Sequence, residues 1–254
     1  MKLRDKVVVI TGSGGGIGEA CARRFAKEGA KVVVTDINSD AVKHVSDSIG
    51  TVGLAGDITA EDTVRAVAEL ARTTYGEIDI WFSNAGYAGP RLAGDISDDR
   101  LWDLSWRLHV MSHVYAVRQV LPSMLERGDG YLLQTASVVA LTTHPDKVAY
   151  AVTKHAALAL SEWLAMTYRP KGIKVSCFCP GPMLTPMLMS DGIPADHPIL
   201  QNAATPEEVA ERLVGAIDTE QFLIVDSSMG LDFLTAKATD YEQWIADMTA
   251  LINS

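Results

Sequence analysis

Cysteine is scarce in this chain and is never spaced for metal or disulfide chemistry. The three, Cys21, Cys177 and Cys179, are odd in number and include no Cys-x-x-Cys pair. No disulfide framework or structural zinc site is indicated, and the expected compartment is a reducing one, the cytoplasm. Cys177 and Cys179 stand two apart in a strand-like stretch and read as buried thiols. Basic residues are also in deficit: 22 Lys and Arg against 32 Asp and Glu leave a formal net charge of -10. Nonspecific binding to nucleic acid or to an anionic membrane needs a cationic face, so small molecules are the expected partners. No apolar run approaches the ~18 residues that a membrane span requires. Met1 to Lys6 leads straight into a short strand and is not of the signal-peptide kind. A Pro- or Gly-rich linker is missing too. With 254 residues and 48% hydrophobic content, one compact domain over 1–254 is expected.

The residues present alternate between strand and helix patterns. Val7 to Ile10 reads as a buried strand, followed by Thr11-Gly12-Ser13-Gly14-Gly15-Gly16-Ile17-Gly18 and a helix to about Gly29. Strand, glycine-rich turn and helix start form a phosphate cradle: glycine lets backbone approach a pyrophosphate, and the helix N-terminus attracts the anion. A second strand, Lys31 to Asp36, ends in a carboxylate able to accept hydrogen bonds from an adenosine ribose diol. The same carboxylate repels a 2'-phosphate. No Arg or Lys stands at Ser13 to Gly16 or at Ile37 to offset that repulsion, so NAD is favoured over NADP. A helix over Ser39 to Ile49 and a strand over Val52 to Ala55 lead to Asp57-Ile58. There Asp57 either caps the following helix or meets the adenine amino group, and position alone leaves both open. A helix from Ala60 to Tyr75, a strand Ile78 to Phe82 and the small residues Ser83-Asn84-Ala85-Gly86 complete the first half. Alternation of this kind predicts an α/β fold, a doubly wound parallel sheet of Rossmann type with helices on both faces.

The second half carries the reactive residues. Ser97 to Arg127 reads as mostly helical, with His109 and His113 four apart. That is a permitted metal spacing, but no glutamate or third ligand follows it, so packed or interface histidines are expected and no metal. A strand from Tyr131 ends at Ser137. A helix from about Lys147 to Tyr168 places Tyr150 and Lys154 on one face. A phenol titrates near pH ~10, and a nearby cation favours the phenolate; a lowering of roughly 3 pH units corresponds to about 4 kcal/mol. Tyr150 then serves as an acid/base at neutral pH, with Ser137 holding the substrate oxygen. By itself Tyr-x-x-x-Lys also describes an ordinary surface pair; the rest of the chain tells them apart. A further strand from Gly172 to Phe178 closes on Cys179-Pro180-Gly181-Pro182-Met183-Leu184-Thr185.

Along nearly its full length the chain resembles the short-chain dehydrogenase/reductase family, in its branch of roughly 250 residues. The matching pieces are Thr11-Gly12 with Gly16 and Gly18, Asp36, Asp57, Asn84-Ala85-Gly86, Ser137, Tyr150 with Lys154, and Pro180-Gly181 with Thr185. The resemblance implies that Tyr150 is the general base and acid. It implies that Lys154 binds the nicotinamide ribose and lowers the Tyr150 pKa, while Ser137 orients the substrate oxygen. Thr185 and the backbone near Met183 hold the carboxamide. The implied reaction interconverts a secondary alcohol and a ketone with hydride transfer to NAD. Two other readings are open: an NAD-binding sensor without turnover, and an NADP-dependent carbonyl reductase.

Two features depart from the family pattern. His109 stands where relatives have an asparagine that holds a water linking the lysine to solvent. An imidazole titrates near pH ~6.5, so His109 is expected to take over that role or make it pH-sensitive, and His109→Asn to retain activity. The carboxyl end is long as well. After Gln221 to Val225 and Asp226 to Gly230, Tyr241, Trp244, Ile245, Met248 and Ile252 recur at helical spacing in an amphipathic helix over 239–253. A homodimer is the expected assembly, with a tetramer open. Residues 185–204 form the expected substrate segment, and Thr205-Pro206-Glu207-Glu208 is a helix start with a capping box. Tyr87, Val138, Val139, His144, Met187, Leu188 and Met189 make the expected pocket mainly apolar; Arg91 reads as either a carboxylate contact or a solvated loop residue.

Overall fold

The computed structural model describes residues 1–90, 96, 98–189, 198–201, 203–225 and 228–252. Arg91, Ser97, Asp226 and the central part of the expected substrate segment lie outside the described residues, as does the side chain of Ile252.

Seven parallel strands form one sheet: β1 (Val7–Thr11), β2 (Lys31–Asp36), β3 (Val52–Ala55), β4 (Ile80–Ser83), β5 (Gly130–Thr135), β6 (Ile173–Cys179) and β7 (Leu223–Val225). Their order is β3-β2-β1-β4-β5-β6-β7. The central strands are nearly continuous apolar runs because both faces are covered, as parallel sheets require. On one face, α1 (Gly16–Lys27), α2 (Ser39–Ile49) and α9 (Pro206–Thr219) pack Phe25, Val45 and Leu213 against Val8, Ile10 and Tyr131. On the other, α3 (Glu61–Tyr75), α5 (Ser112–Arg127) and α6 (Val148–Tyr168) pack Val67, Val120 and Leu164 against Val9, Trp81 and Leu132. The strand order reverses between β1 and β4. Connections there leave in opposite directions, so a crevice opens at the strands' carboxyl ends, where ligands bind in such sheets.

Local chemistry fixes the elements that border this crevice. Thr205 caps α9, its hydroxyl accepting from Glu208 N–H and the Glu208 carboxylate accepting from Thr205 N–H, with Pro206 at the first helical position; this is the reciprocal box the sequence implied. Asn38 caps α2 through its side-chain oxygen. The long middle helix begins at Asp99, as α4 (Asp99–Trp106), and passes through a π turn at Arg107–Met111 before continuing as α5. A π turn inserts one residue into the helical register and re-aims the side chains around it. His109 lies inside that turn.

Beyond β6 are two short helical turns, α7 (Pro186–Met189) and α8 (Pro198–Gln201). The carboxyl end forms two helices rather than one, α10 (Ser228–Thr239) and α11 (Tyr241–Ile252). Trp244 is buried while Tyr241 and Ile245 are exposed, so the expected single apolar face is divided. Lys237 stands at this division, its ammonium lying over the rings of both Tyr241 and Trp244 and donating to Thr142 O at 3.2 Å. Among the described residues no helix is long and apolar enough to cross a membrane.

Candidate active site

A cavity of ≈ 780 Å³ runs along the carboxyl ends of the strands, from Asp36 and Asp57 at one end to Tyr150 and Met187 at the other. At the first end the glycine turn is built for close approach. Gly12 adopts φ +64, and a Cβ there would stand 2.7 Å from Ala85 Cα, so the turn and the segment after β4 touch backbone to backbone. Thr11 fastens the two: its hydroxyl oxygen accepts from Asn84 N–H (2.9 Å) and Ala85 N–H (3.1 Å), and Asn84 Nδ2 donates back to Thr11 O (3.0 Å). Gly14, Gly15 and Gly16 form the cavity wall, with no side chain between the cavity and the start of α1. Asp36 Oδ2 accepts from Gly14 N–H and Oδ1 from Asn38 N–H, both at 3.1 Å, which holds the carboxylate at the cavity edge. Asp57 Oδ1 accepts from Thr59 N–H at 2.9 Å, shaping the turn before α3, and the residue also lines the cavity.

At the other end, Ser137, Tyr150 and Lys154 reach the same cavity from different elements. Ser137 lies two residues past β5, in extended conformation (φ -173), where its Oγ accepts from Val139 N–H at 3.2 Å and caps a short 3₁₀ turn. Val138 N–H donates to Pro180 O (2.8 Å), tying this loop to the segment after β6. Lys154 is 2% exposed and donates from Nζ to Thr135 O at 3.0 Å. Its Nζ lies 5.7 Å from the centre of the Tyr150 ring. Burial lowers the Lys154 pKa to about 8. Cys177 and Cys179 beneath it are free thiols with their sulfurs 4.0 Å apart. Thr185 stands against the glycine turn, its methyl 3.4 Å from where a Gly16 Cβ would be.

Four residues expected at the site do not line this cavity: Ser13, Gly18, His109 and Met189. Ser13 is fully buried, with its hydroxyl donating to Ile10 O and accepting from Thr35 N–H, which spends the side chain on joining β1 to β2. Gly18 works behind the cradle, since a Cβ there would meet Gly12 O at 2.1 Å. The relay expected of His109 is closed by its hydrogen bonds. Nε2 accepts from Tyr87 N–H (3.1 Å), so the ring proton is on Nδ1, which donates to Thr153 Oγ1 (2.8 Å); that hydroxyl donates in turn to Ala149 O (2.7 Å). Burial, and then the nearby Lys154 charge, push its pKa well below the usual value. His109 is thus a neutral brace between the segment after β4 and α6, edge-on to the Tyr150 ring at 5.5 Å.

His113, one turn on, is 1% exposed, and neither ring nitrogen forms a well-shaped hydrogen bond with another described residue; Gln134 comes close without good geometry. Burial lowers its pKa to about 3. No three His, Cys, Asp or Glu side chains gather as a metal-binding group among the described residues.

The remaining expected residues, Gly12, Gly16, Ile17, Ile37, Ile58, Asn84, Ala85, Gly86, Val139, His144, Pro180, Gly181, Met183, Thr185 and Met187, all line the cavity. Leu104, Leu108 and Lys147 line it as well and were not anticipated. The leucines recur four apart, a signal present in the sequence, but which face of the helix turns inward depends on the π turn. In sequence Lys147 marks only the approximate start of the helix that carries Tyr150.

The model of a family described as short chain dehydrogenase matches residues 6–194. The chain is 31% identical over 236 residues to 1-deoxy-11-beta-hydroxypentalenate dehydrogenase of Streptomyces exfoliatus, covering 90% of this chain and 85% of the relative. It is 34% identical over 222 residues to 7alpha-hydroxysteroid dehydrogenase of Escherichia coli strain K12, covering 83% and 86%. Among solved structures, a short chain dehydrogenase/reductase from Burkholderia phymatum in complex with NAD superposes with TM-score 0.86 at 26% identity, covering 96% of each chain. A 3-ketoacyl-(acyl-carrier-protein) reductase from Brucella melitensis complexed with NADH gives 0.80 at 28% identity, covering 88% of this chain and 97% of that one.

Proposed function

The chain belongs to the short-chain dehydrogenase family, and on that premise we propose that it is an NAD-dependent oxidoreductase interconverting a secondary alcohol and a ketone on an apolar-bodied small molecule. The observation that carries this reading is one cavity with the glycine cradle and Asp36 at one end and Ser137, Tyr150 and Lys154 at the other.

The residues present fit a dinucleotide. Gly14 to Gly16 leave backbone open toward a pyrophosphate at the start of α1, and Asp36 offers carboxylate lone pairs to a ribose diol. Both relatives of solved structure named above are described with NAD or NADH. When bound, NAD supplies the acceptor for the hydride leaving the carbinol carbon. Tyr150 takes the hydroxyl proton as the C–O bond gains double-bond character, and returns it in the reverse direction. Ser137 Oγ already accepts from Val139 N–H, so its own hydrogen is directed to the substrate oxygen. Lys154 holds the nicotinamide ribose and favours the Tyr150 phenolate by its charge. Asn84 and Thr11 keep the two strand ends in register, Gly86 packs against Lys154, and the backbone near Met183 with Thr185 holds the carboxamide. Leu104, Leu108, Val139 and Met187 give the substrate end an apolar lining.

Asp36 supports NAD over NADP, because a 2'-phosphate there meets a fixed carboxylate with Ile37 and Asn38 beside it. The assembly belonging to this reading is a homodimer: Val152, Trp163 and Met166 form an exposed apolar stripe on α6, and sedimentation of the purified protein tests it. The enzymatic reading is tested by NADH formation with NAD and a panel of apolar and carboxylate-bearing secondary alcohols, beside Tyr150→Phe. Turnover that survives in the variant, or equal use of NAD and NADP, would overturn the assignment of the acid/base or of the cofactor respectively.

A further inference from the structure

We propose that Lys237, on the carboxyl-terminal helix α10, is a positioning residue for the reaction: it fixes the turn that presents Ser137 to the substrate oxygen. This deepens the dehydrogenase reading and rests on it.

Ser137 begins a short knot of backbone. Ala140 N–H donates to Ser137 O (2.9 Å), while Leu141 N–H (2.9 Å) and Thr142 N–H (3.1 Å) both donate to Val138 O. The Thr142 hydroxyl donates to the same oxygen at 3.1 Å. So closed a turn moves as one piece, and the bond from Val139 N–H to Ser137 Oγ moves with it. One end is tied to the segment after β6, where Val138 N–H donates to Pro180 O. The other end is held by α10, where Lys237 Nζ donates to Thr142 O at 3.2 Å. Gly230, Leu234 and Lys237 share one face of α10, being four and three residues apart, and that face meets the turn. A Cβ on Gly230 would stand 2.8 Å from Val138 Cγ2, and Leu234 packs against the cluster that contains Ala140 and Leu141.

Two rings hold the same ammonium from other sides. It lies 4.8 Å from the centre of the Trp244 ring and 5.5 Å from that of Tyr241. A lysine on an open surface contributes little through one hydrogen bond, because ordering its four-carbon stem costs entropy. Here the aromatic faces already confine the cation, so less entropy is lost in making the bond to Thr142. The long carboxyl end thus reaches the Ser137 turn through a single ordered cation. Displacing a substrate-positioning group by about 1 Å costs up to about a hundredfold in rate.

Hydrogen exchange of the cofactor-free protein tests the brace, and kinetics of the same samples, with NAD and a secondary alcohol that wild type turns over, test its consequence. In Lys237→Met the amides of Ala140, Leu141 and Thr142 are expected to exchange about fivefold or more faster, while those of α10 stay within about twofold of wild type. The value of kcat is expected to fall about tenfold or more, with NAD affinity unchanged within about twofold. Lys237→Arg restores both, since a guanidinium keeps the ring contacts and the donor. An unchanged exchange rate in the turn, or an unchanged kcat, overturns the proposal. So does a turn that loosens only together with α10 and is not restored by arginine, since packing and not the ammonium would then hold it. If wild type forms no Tyr150-dependent NADH, faster exchange of the turn in Lys237→Met retains the brace and sinks the dehydrogenase reading instead.

Discussion

Replacing Lys154 by methionine is expected to make the folded protein more stable while removing its activity. Burial of the ammonium, with no described carboxylate offsetting it, lowers its pKa from the ordinary 10.5 to about 8. At 1.36 kcal/mol per pH unit, holding that charge in the fold at pH 7 costs about 3 kcal/mol. Methionine is of similar length and removes the charge, but it also forfeits the hydrogen bond to Thr135 O, worth about 1 kcal/mol. The net gain is about 2 kcal/mol, or a rise in melting temperature of roughly 4–8 °C for a chain of this size. Between pH 8 and 10.5 the folded protein has released a proton that the unfolded chain still holds, so wild-type stability rises with pH across that window. The advantage of Lys154→Met must shrink by the same amount. Urea unfolding of both cofactor-free proteins at pH 7 and pH 10 measures it, and turnover is expected to fall by at least about a hundredfold. A variant less stable than wild type at pH 7, or a stability gap equal at the two pH values, would refute the reasoning.

Three other outcomes are expected. Burial lowers the His113 pKa to about 3, so stability from this group is full above the unfolded value near pH ~6.5 and is lost as pH falls toward 3; His113→Gln should flatten the acid unfolding curve between pH 6 and 4, and an unchanged slope would disprove the assignment. Asp36→Ala should raise NADP affinity relative to NAD by at least about tenfold, since one fixed charge is removed from the 2'-phosphate position; cofactor titration by fluorescence gives the ratio, and no change would contradict the role. His109→Asn should keep turnover and its pH profile while losing about 1–2 kcal/mol of stability, because the shorter side chain spans only one of the Tyr87 and Thr153 contacts; a shifted pH profile would restore the relay role.

Elements with strong local signals were legible from the chain alone. Lys31–Asp36, Ser39–Ile49 and Val52–Ala55 begin and end where their patterns place them, because continuous apolar runs and an Asn cap are decided within a few residues. Thr205 to Glu208 is another such case. Most of the cavity was legible for the same reason: residues at the carboxyl ends of successive parallel strands must gather on one side of the sheet. Less legible was the direction in which individual side chains point. Ser13 turns into the β1–β2 seam, and His109 is turned by the π turn toward Thr153 rather than toward the cavity.

Spacing along the chain was enough to establish the alternation of strand and helix, the glycine cradle, the acidic end of β2 and the pairing of Tyr150 with Lys154 on one helical face. Each depends on spacing of a few residues, through backbone period, glycine's missing Cβ, or charge. Long-range packing alone established that His109 is neutral and braced, that Lys154 is buried enough to lose pKa, that Trp244 is buried beneath Lys237, and that Lys147 lines the cavity. Those properties are set by which distant segments cover a side chain, and so by desolvation and hydrogen-bond partners that no local pattern encodes.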